Sequence, residues 1–383
     1  MIATEADHLL QVYPQLPLEL VSARGVFLHT ASGDEVLDFY GGHAVAALGY
    51  AHPRVVETLA RQAAAMTFQT NAVALEVRAR AADKLVGISP PGLTRAFFVN
   101  SGAEANENAL RLAFFARPGR EKVVALEHGF HGRTAAAAAV TWGASKWYAF
   151  PHTPFPVTFV PRDDIARLHE AIDQSTAAVI VEPIQGMAGA VALEGEFLRA
   201  LRQRCDETGA VLIYDEVQSG VGRSGHYFAC EKHRVTPDIL TTAKALAGGF
   251  PVGAVLATEE IARHAAMGSL GTTFGGGPLA CALVETVLDV IETEGLLANV
   301  QRVSERILST CRVGPVESIQ GAGFLLGLRC RKPAAAVRDD LLKQNILVGT
   351  SADPSVVRLL PPLILEEEHV DALSKALEKV SPT

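Results

Sequence analysis

Six short apolar runs separated by stretches of helical spacing most constrain what this chain can fold into. The runs are residues 95–99, 122–126, 157–160, 177–181, 210–214 and 253–257. Strands buried on both faces read as continuous apolar runs of this length. The intervening spacing predicts helices over 103–116, 165–174, 195–208 and 239–246. Such alternation indicates βαβ units around a mainly parallel sheet. The flanks read differently. Residues 25–30 and 35–39 enclose Ser32-Gly33-Asp34, a hairpin signal. Beyond about residue 275, a long helical pattern over 279–310 leads to strands, a short helix near 334–344 and a final helix from Glu367. A chain of 383 residues exceeds the usual single core. The pattern predicts a larger α/β domain and a small α+β domain assembled from both chain ends.

Composition removes several function classes. With 49% hydrophobic and 20% charged residues the chain is an ordinary globular one. Its 34 basic and 42 acidic side chains leave a net charge of −8, which disfavours nucleic acid or an anionic membrane as partner. Positive charge is therefore expected to be local, at sites for particular anions. The cysteines at 205, 230, 281, 311 and 330 form no CxxC pair and are odd in number, which suits reduced thiols better than a disulfide framework. The acidic start Met1–His8 lacks a basic leader region, and no apolar run reaches spanning length. A cytoplasmic location is expected, and no repeat or low-complexity linker interrupts the chain.

Chemistry concentrates on an acid and a lysine 29 residues apart. Asp215 ends the apolar run Ala210-Val211-Leu212-Ile213-Tyr214, and a carboxylate closing a buried strand needs a partner. Lys244 sits among Thr241-Thr242-Ala243 and Ala245-Leu246-Ala247, where desolvation lowers the pKa of an amine and makes it nucleophilic. Together they suit pyridoxal phosphate: the lysine holds the cofactor's aldehyde and the acid keeps its pyridine nitrogen protonated. A snorkelling lysine and a strand-end cap would explain each residue singly.

Asn100-Ser101-Gly102-Ala103-Glu104-Ala105-Asn106 follows a strand and opens a helix, so Ser101 suits a cap and the N–H groups of Gly102 and Ala103 a phosphate seat. His128-Gly129-Phe130-His131-Gly132-Arg133 contains HxxH, a poor zinc spacing without a third ligand, and no metal is expected. Phe130 instead offers a flat face to an aromatic cofactor and Arg133 a bidentate carboxylate clamp. Gly220-Val221-Gly222-Arg223-Ser224-Gly225 matches GxGxxG, the competing signal for a nicotinamide dehydrogenase. Five residues separate it from the preceding strand and no clean helix follows, so the context is wrong. Glu182 ends another apolar strand, Gly271–Gly277 is a loop with two threonines, and Arg358 lies in an apolar stretch. Each of these has an ordinary structural explanation when taken singly.

In order, these segments resemble the class III (ω-amino) aminotransferases, and within them the acetylornithine group. The similarity runs from Leu37-Asp38-Phe39 through Asn-Ser-Gly-Ala-Glu-Ala-Asn, Phe-His-Gly-Arg, Glu-Pro-Ile-Gln-Gly, Asp-Glu-Val-Gln-Ser-Gly and Lys244 to Arg358-Leu359-Leu360-Pro361-Pro362. The resemblance implies an α/β protein of pyridoxal-phosphate fold type I, with a mainly parallel seven-stranded sheet in a large domain (51–277). A small α+β domain would come from both termini (1–50 and 278–383). It implies pyridoxal 5′-phosphate held by Lys244, with Asp215 at the ring nitrogen, Val217 and Phe130 on the two ring faces, and Gln218 on the phenolic oxygen. Ser101, Gly102 and Ala103 would hold the phosphate. Thr273 would reach the phosphate of the neighbouring subunit, which requires a homodimer with sites completed across the interface. Arg133 would clamp the donor's distal carboxylate, and Arg358 the α-carboxylate of glutamate or 2-oxoglutarate, with Glu182 and Tyr40 also at the substrate.

One departure bears on the donor. Relatives usually follow Glu-Pro-Ile-Gln-Gly with a second Glu that neutralises the arginine equivalent to Arg358; this chain has Met187, which cannot pair with guanidinium. Gly277, where relatives often carry Asn, is a smaller departure. The expected reaction moves the δ-amine of an N-acylornithine, N-acetylornithine first, to 2-oxoglutarate in arginine biosynthesis. N-succinylornithine, a carrier-bound lysine precursor, ornithine and 4-aminobutyrate remain as donors, and a glutamate-1-semialdehyde-type aminomutase remains as another reaction.

Overall fold

The structure is a computed structural model that describes residues 7–382. Its centre is a seven-stranded sheet in the order Leu93–Val99, Gly253–Thr258, Ile239–Thr242, Val211–Asp215, Thr176–Val181, Lys122–Leu126, Val157–Val160. Every neighbour pair is parallel except the two that involve Gly253–Thr258. The three middle strands are buried along their whole length, which accounts for their unbroken apolar runs.

The seventh strand corrects an expectation. Residues 239–246 are not a helix: Ile239–Thr242 is a strand and Lys244–Ala247 a single 3-10 turn. Ile239, Ala243 and Leu246 mimic helical spacing, but the local chain is Ile-Leu-Thr-Thr, three of its four residues β-branched. A four-residue strand buried on both faces has no polar alternation to reveal it. The pattern over 279–310 also resolves into two helices, Pro278–Thr293 and Leu296–Thr310. Gly295, at φ +64, makes the break between them.

Helix Gly102–Ala116 covers one face of the sheet, and Gly195–Thr208 turns Phe197, Leu198, Leu201 and Cys205 inward. Of two smaller four-stranded sheets, the chain ends meet in the first. Leu20–Arg24, Phe27–Thr30 and Glu35–Asp38 form an antiparallel meander, and Ile346–Leu347 joins it in parallel beside Glu35–Asp38. Val316–Ala322, Leu325–Cys330, Val356–Leu359 and Gly349–Thr350 form the other. Arg358 lies within Val356–Leu359, opposite Gly327 on one side and Gly349 on the other. All five cysteines are buried and unpaired. Among the described residues no helix is long and apolar enough to cross a membrane.

Candidate active site

Three adjacent strands end in an acid or are followed closely by the lysine, at the carboxyl edge where open α/β sheets bind ligands. Asp215 is the last residue of Val211–Asp215 and pairs in register with Thr241. Lys244 comes three residues after Thr241, so the 29-residue gap in sequence closes onto neighbouring strand ends. Glu182 follows Thr176–Val181 on the other side. Lys244 itself stands at φ +43, a left-handed conformation that costs a non-glycine residue about 1–2 kcal/mol. Strain of that kind persists only where the surroundings over-determine it.

Asp215 is held on three sides. Its Oδ2 accepts from Asn106 Nδ2 at 2.7 Å and lies 2.8 Å from His131 Nδ1, while Oδ1 accepts from the Val217 N–H at 3.0 Å. Asn106 also donates to the His131 carbonyl and accepts from Thr241 Oγ1, both at 2.7 Å. Glu182 accepts from the N–H groups of Phe130 at 2.8 Å and Gly186 at 3.2 Å. Burial drives its carboxyl well above the usual range; His131 and these two bonds oppose the rise, and Asp215 adds to it. Burial likewise lowers the Lys244 amine, against the opposing charges of Asp215 and Glu182.

The start of helix Gly102–Ala116 turns backbone N–H groups toward the cavity. Ser101 caps it, accepting from Glu104 N–H at 3.2 Å, and the first backbone bond runs from Ala105 N–H to the Ser101 carbonyl at 3.0 Å. The N–H groups of Gly102 and Ala103 are therefore unspent within the helix. A Cβ at Gly102 would lie 2.6 Å from Val217 Cγ1, so only glycine lets the helix start and Val217 share this space. A side chain at Gly186 would overlap Gln218 Oε1 in the same way.

These groups line one cavity of about 550 Å³. Ser101, Gly102, Ala103, Phe130 and Val217 form part of its wall, and Glu182, Asp215, Gln218, Lys244 and Arg133 join them. Arg133 is exposed and stacks over Trp147, its guanidinium carbon 4.8 Å from the ring centroid. Met187, His43 and Tyr13 also line the cavity. Three expected residues do not. Thr273 is exposed on its loop outside the cavity. Tyr40 and Arg358 stand behind the lining, touching His43 and Gln218 respectively. Arg358 is only 1% exposed and forms no ion pair among the described residues; Nε donates to the Thr350 carbonyl at 2.7 Å and Nη1 to the Gly186 carbonyl at 3.3 Å.

Two groups went unassigned in the sequence. Asn106 sits one helical turn beyond the phosphate seat, and His131 belongs to the HxxH that was weighed for metal. Their common partner, Asp215, lies 109 and 84 residues away. The only local signal was that this helix buries two asparagines, Asn106 and Asn108, among alanines and leucines. The GxGxxG segment is structural: Arg223 is fully buried and donates to the Pro361 carbonyl, and a 3-10 turn at Ala229–His233 follows where a dinucleotide loop needs a helix.

The cavity fits a flat aromatic ring with a phosphate arm. It offers unspent helix N–H groups at one end, a carboxylate at the base, Val217 and Phe130 on its walls and a lysine amine of lowered basicity. Comparison with known proteins agrees. The family model for class III aminotransferases matches residues 11–380. The chain is 39% identical to the acetylornithine aminotransferase of Methanocaldococcus jannaschii, covering 99% of this chain and 97% of that protein. It is 44% identical to the acetylornithine aminotransferase of Streptomyces coelicolor, over 95% of this chain and 90% of that one. The ornithine aminotransferase of Toxoplasma gondii superimposes with a TM-score of 0.93 at 29% identity, covering 99% of this chain and 93% of that chain. On the sheet order, the lysine–acid cavity and these full-length matches, the chain belongs to the class III aminotransferases, which work with pyridoxal 5′-phosphate.

Proposed function

We propose that this enzyme moves the δ-amine of an N-acylornithine, N-acetylornithine foremost, to 2-oxoglutarate, giving the semialdehyde and glutamate in arginine biosynthesis. The observation that carries the donor class is Arg133, a guanidinium with no carboxylate partner among the described residues, lining the cavity that holds Lys244. A donor whose reacting amine is far from its carboxylate spans from one to the other. The full-length likeness to two acetylornithine aminotransferases supports the same donor.

When bound, pyridoxal 5′-phosphate supplies the electron sink and carries the amine between the two substrates. Ser101, Gly102 and Ala103 would hold its phosphate, Val217 and Phe130 its ring faces and Gln218 its phenolic oxygen. Asp215, fixed by Asn106 and His131 at the cavity base, would face the ring nitrogen and hold a proton there. Lys244 Nζ, weakly basic in its buried setting, takes and returns the proton at the reacting carbon. Arg133 positions the distal carboxylate of the donor. Arg358 supplies the positive charge that draws the α-carboxylate of glutamate or 2-oxoglutarate, with Tyr40 and Glu182 beside it.

A homodimer belongs to this reading. Thr273 is followed by Phe274, 65% exposed, whose ring centroid lies 5.4 Å from that of the half-exposed Phe68. A second copy covering this apolar face would bring Thr273 to its phosphate seat. The division at 1–50, 51–277 and 278–383 is part of the same proposal, supported by the pairing of Ile346–Leu347 with Glu35–Asp38. The five unpaired cysteines support a reducing, cytoplasmic setting.

The test is a panel of half-reactions, following the cofactor's visible absorbance with N-acetylornithine, N-succinylornithine, ornithine, 4-aminobutyrate and glutamate in turn. N-acetylornithine is expected to react with the highest kcat/KM. A response to glutamate alone would end the ω-donor reading.

A further inference from the structure

Arg133 stands on a loop that closes on itself. The Trp142 N–H donates to the Gly129 carbonyl at 2.9 Å, and Thr141 Oγ1 accepts from the His131 N–H at 2.9 Å. Inside the loop, Ala135–Ala139 form a short helical turn whose last four alanines are buried. Phe130 and His131, at the loop's start, are held from outside. The Phe130 N–H donates to Glu182 at 2.8 Å, and the His131 carbonyl accepts from Asn106 at 2.7 Å. Arg133 is exposed, with its guanidinium over the Trp147 ring, so its backbone depends on what holds the turn just downstream.

That turn is capped from another helix. The first N–H groups of a helical turn have no partner within it, and a threonine just ahead is a favoured local acceptor. Thr134 occupies that place, at φ −78 and ψ 169, yet its side chain makes no capping bond. Instead Glu107 Oε1 accepts from the N–H groups of Ala136 at 2.7 Å and Ala137 at 3.1 Å. Glu107 belongs to helix Gly102–Ala116, where the spacing of Ala103, Asn106 and Glu107 puts all three on one face. Ala103 also meets the loop: a Cβ at Gly132, whose φ is +136, would stand 2.9 Å from Ala103 Cβ. The loop is thus fastened to this face on both sides of Arg133, at Gly132 and at Ala136 and Ala137. A local cap would serve the turn alone. The distant carboxylate also fixes where the turn lies along the helix.

We propose that Glu107 is a positioning residue for Arg133: by capping the turn that follows, it registers Arg133 against the helix whose start lines the cavity, and so sets the span from the guanidinium to the Lys244 amine. This rests on the proposed reading of Arg133 as the clamp for the donor's carboxylate. A donor held at one end and reacting at the other tolerates little error in that span.

The probe is N-acetylnorvaline, which is N-acetylornithine without its δ-amine, bound to the cofactor-loaded enzyme and followed by calorimetry. Glu107→Ala is expected to weaken it about 5- to 10-fold and to raise KM for N-acetylornithine by the same factor, with kcat within about two-fold and cofactor retained. Glu107→Gln keeps a carbonyl that accepts both N–H groups and should recover affinity to within about three-fold of wild type. Adding Thr134→Asn to Glu107→Ala supplies a neutral local cap. It should restore Tm without restoring affinity, and it carries the test if Glu107→Ala folds poorly. Unchanged affinity for N-acetylnorvaline in Glu107→Ala, or full recovery through the local cap, would overturn the tether while leaving the transaminase reading intact. A wild-type enzyme that neither binds N-acetylnorvaline nor reacts with N-acetylornithine would remove the donor reading and the tether with it.

Discussion

Asn106 and Asp215 are 109 residues apart in the chain and joined by a 2.7 Å hydrogen bond that neither makes to solvent. The amide's other side accepts from Thr241, on the strand that delivers Lys244. One side chain therefore sets the acid and braces the strand beside it. Asn106→Ala removes a bond to a buried carboxylate, worth about 1.5–3 kcal/mol, and should slow single-turnover reaction with glutamate by about 10–100-fold. A rate within two-fold of wild type, with cofactor fully bound, would mean that His131 and the Val217 N–H position Asp215 unaided.

Gly102 offers a test of the phosphate seat that needs no substrate. Its φ is ordinary, so Gly102→Ala strains nothing in the backbone; the new Cβ meets Val217 Cγ1 at 2.6 Å. Overpacking of this kind costs about 1–3 kcal/mol, and here it also pushes the helix start away from the cavity wall. Faster loss of cofactor on dialysis and a lower Tm are expected, both recovered when Val217→Ala is added. Failure of the second substitution to restore either would show that the glycine serves something other than close approach to Val217.

How much of this was legible in the sequence depends on how local the cause is. Asp215 and Lys244 stood out because a charge in an apolar run is informative without a partner. Their adjacency was hidden: residues 239–246 read as a helix, and only the four-residue strand Ile239–Thr242 turns 29 residues of separation into neighbouring strand ends. The capped helix start at Ser101 and Gly102 was readable since cap, glycine and first turn are consecutive. Asn106 and His131 were not, because what they do is decided by a residue on a different strand.

Lys244 has a measurable consequence before any substrate is present. Burial makes its amine less basic than the ordinary 10.5, with Asp215 and Glu182 only partly opposing. The unprotonated, reactive form is thus populated at lower pH than for an exposed lysine. In cofactor-free protein, the rate of acylation of Lys244 by a small reagent, followed by peptide mass spectrometry, should reach half its maximum well below pH 10.5. Surface lysines such as Lys343, whose amine Asp340 holds above the ordinary value, should still be rising there. Coincident profiles for the two residues would count against a desolvated Lys244.

Met187 lies next to Gly186, whose carbonyl accepts from Arg358 Nη1 at 3.3 Å, and it lines the cavity. Its own carbonyl accepts from the Ala352 N–H at 2.8 Å, which fixes the backbone here whatever the side chain. A carboxylate at this position would find a guanidinium that has no acidic partner among the described residues. A buried ion pair formed there would neutralise the charge proposed to draw the α-carboxylate of glutamate, and would leave Arg133 free for the proposed ω-amine donor. Met187→Glu should therefore raise KM for glutamate and 2-oxoglutarate several-fold, about what one charge-assisted bond is worth, and shift selectivity toward the ω-donor. The ratio of kcat/KM for N-acetylornithine to that for glutamate is the measurement. An unchanged ratio would mean that Arg358 does not set the choice between the two substrates, and that discrimination lies with Arg133 and the residues around it.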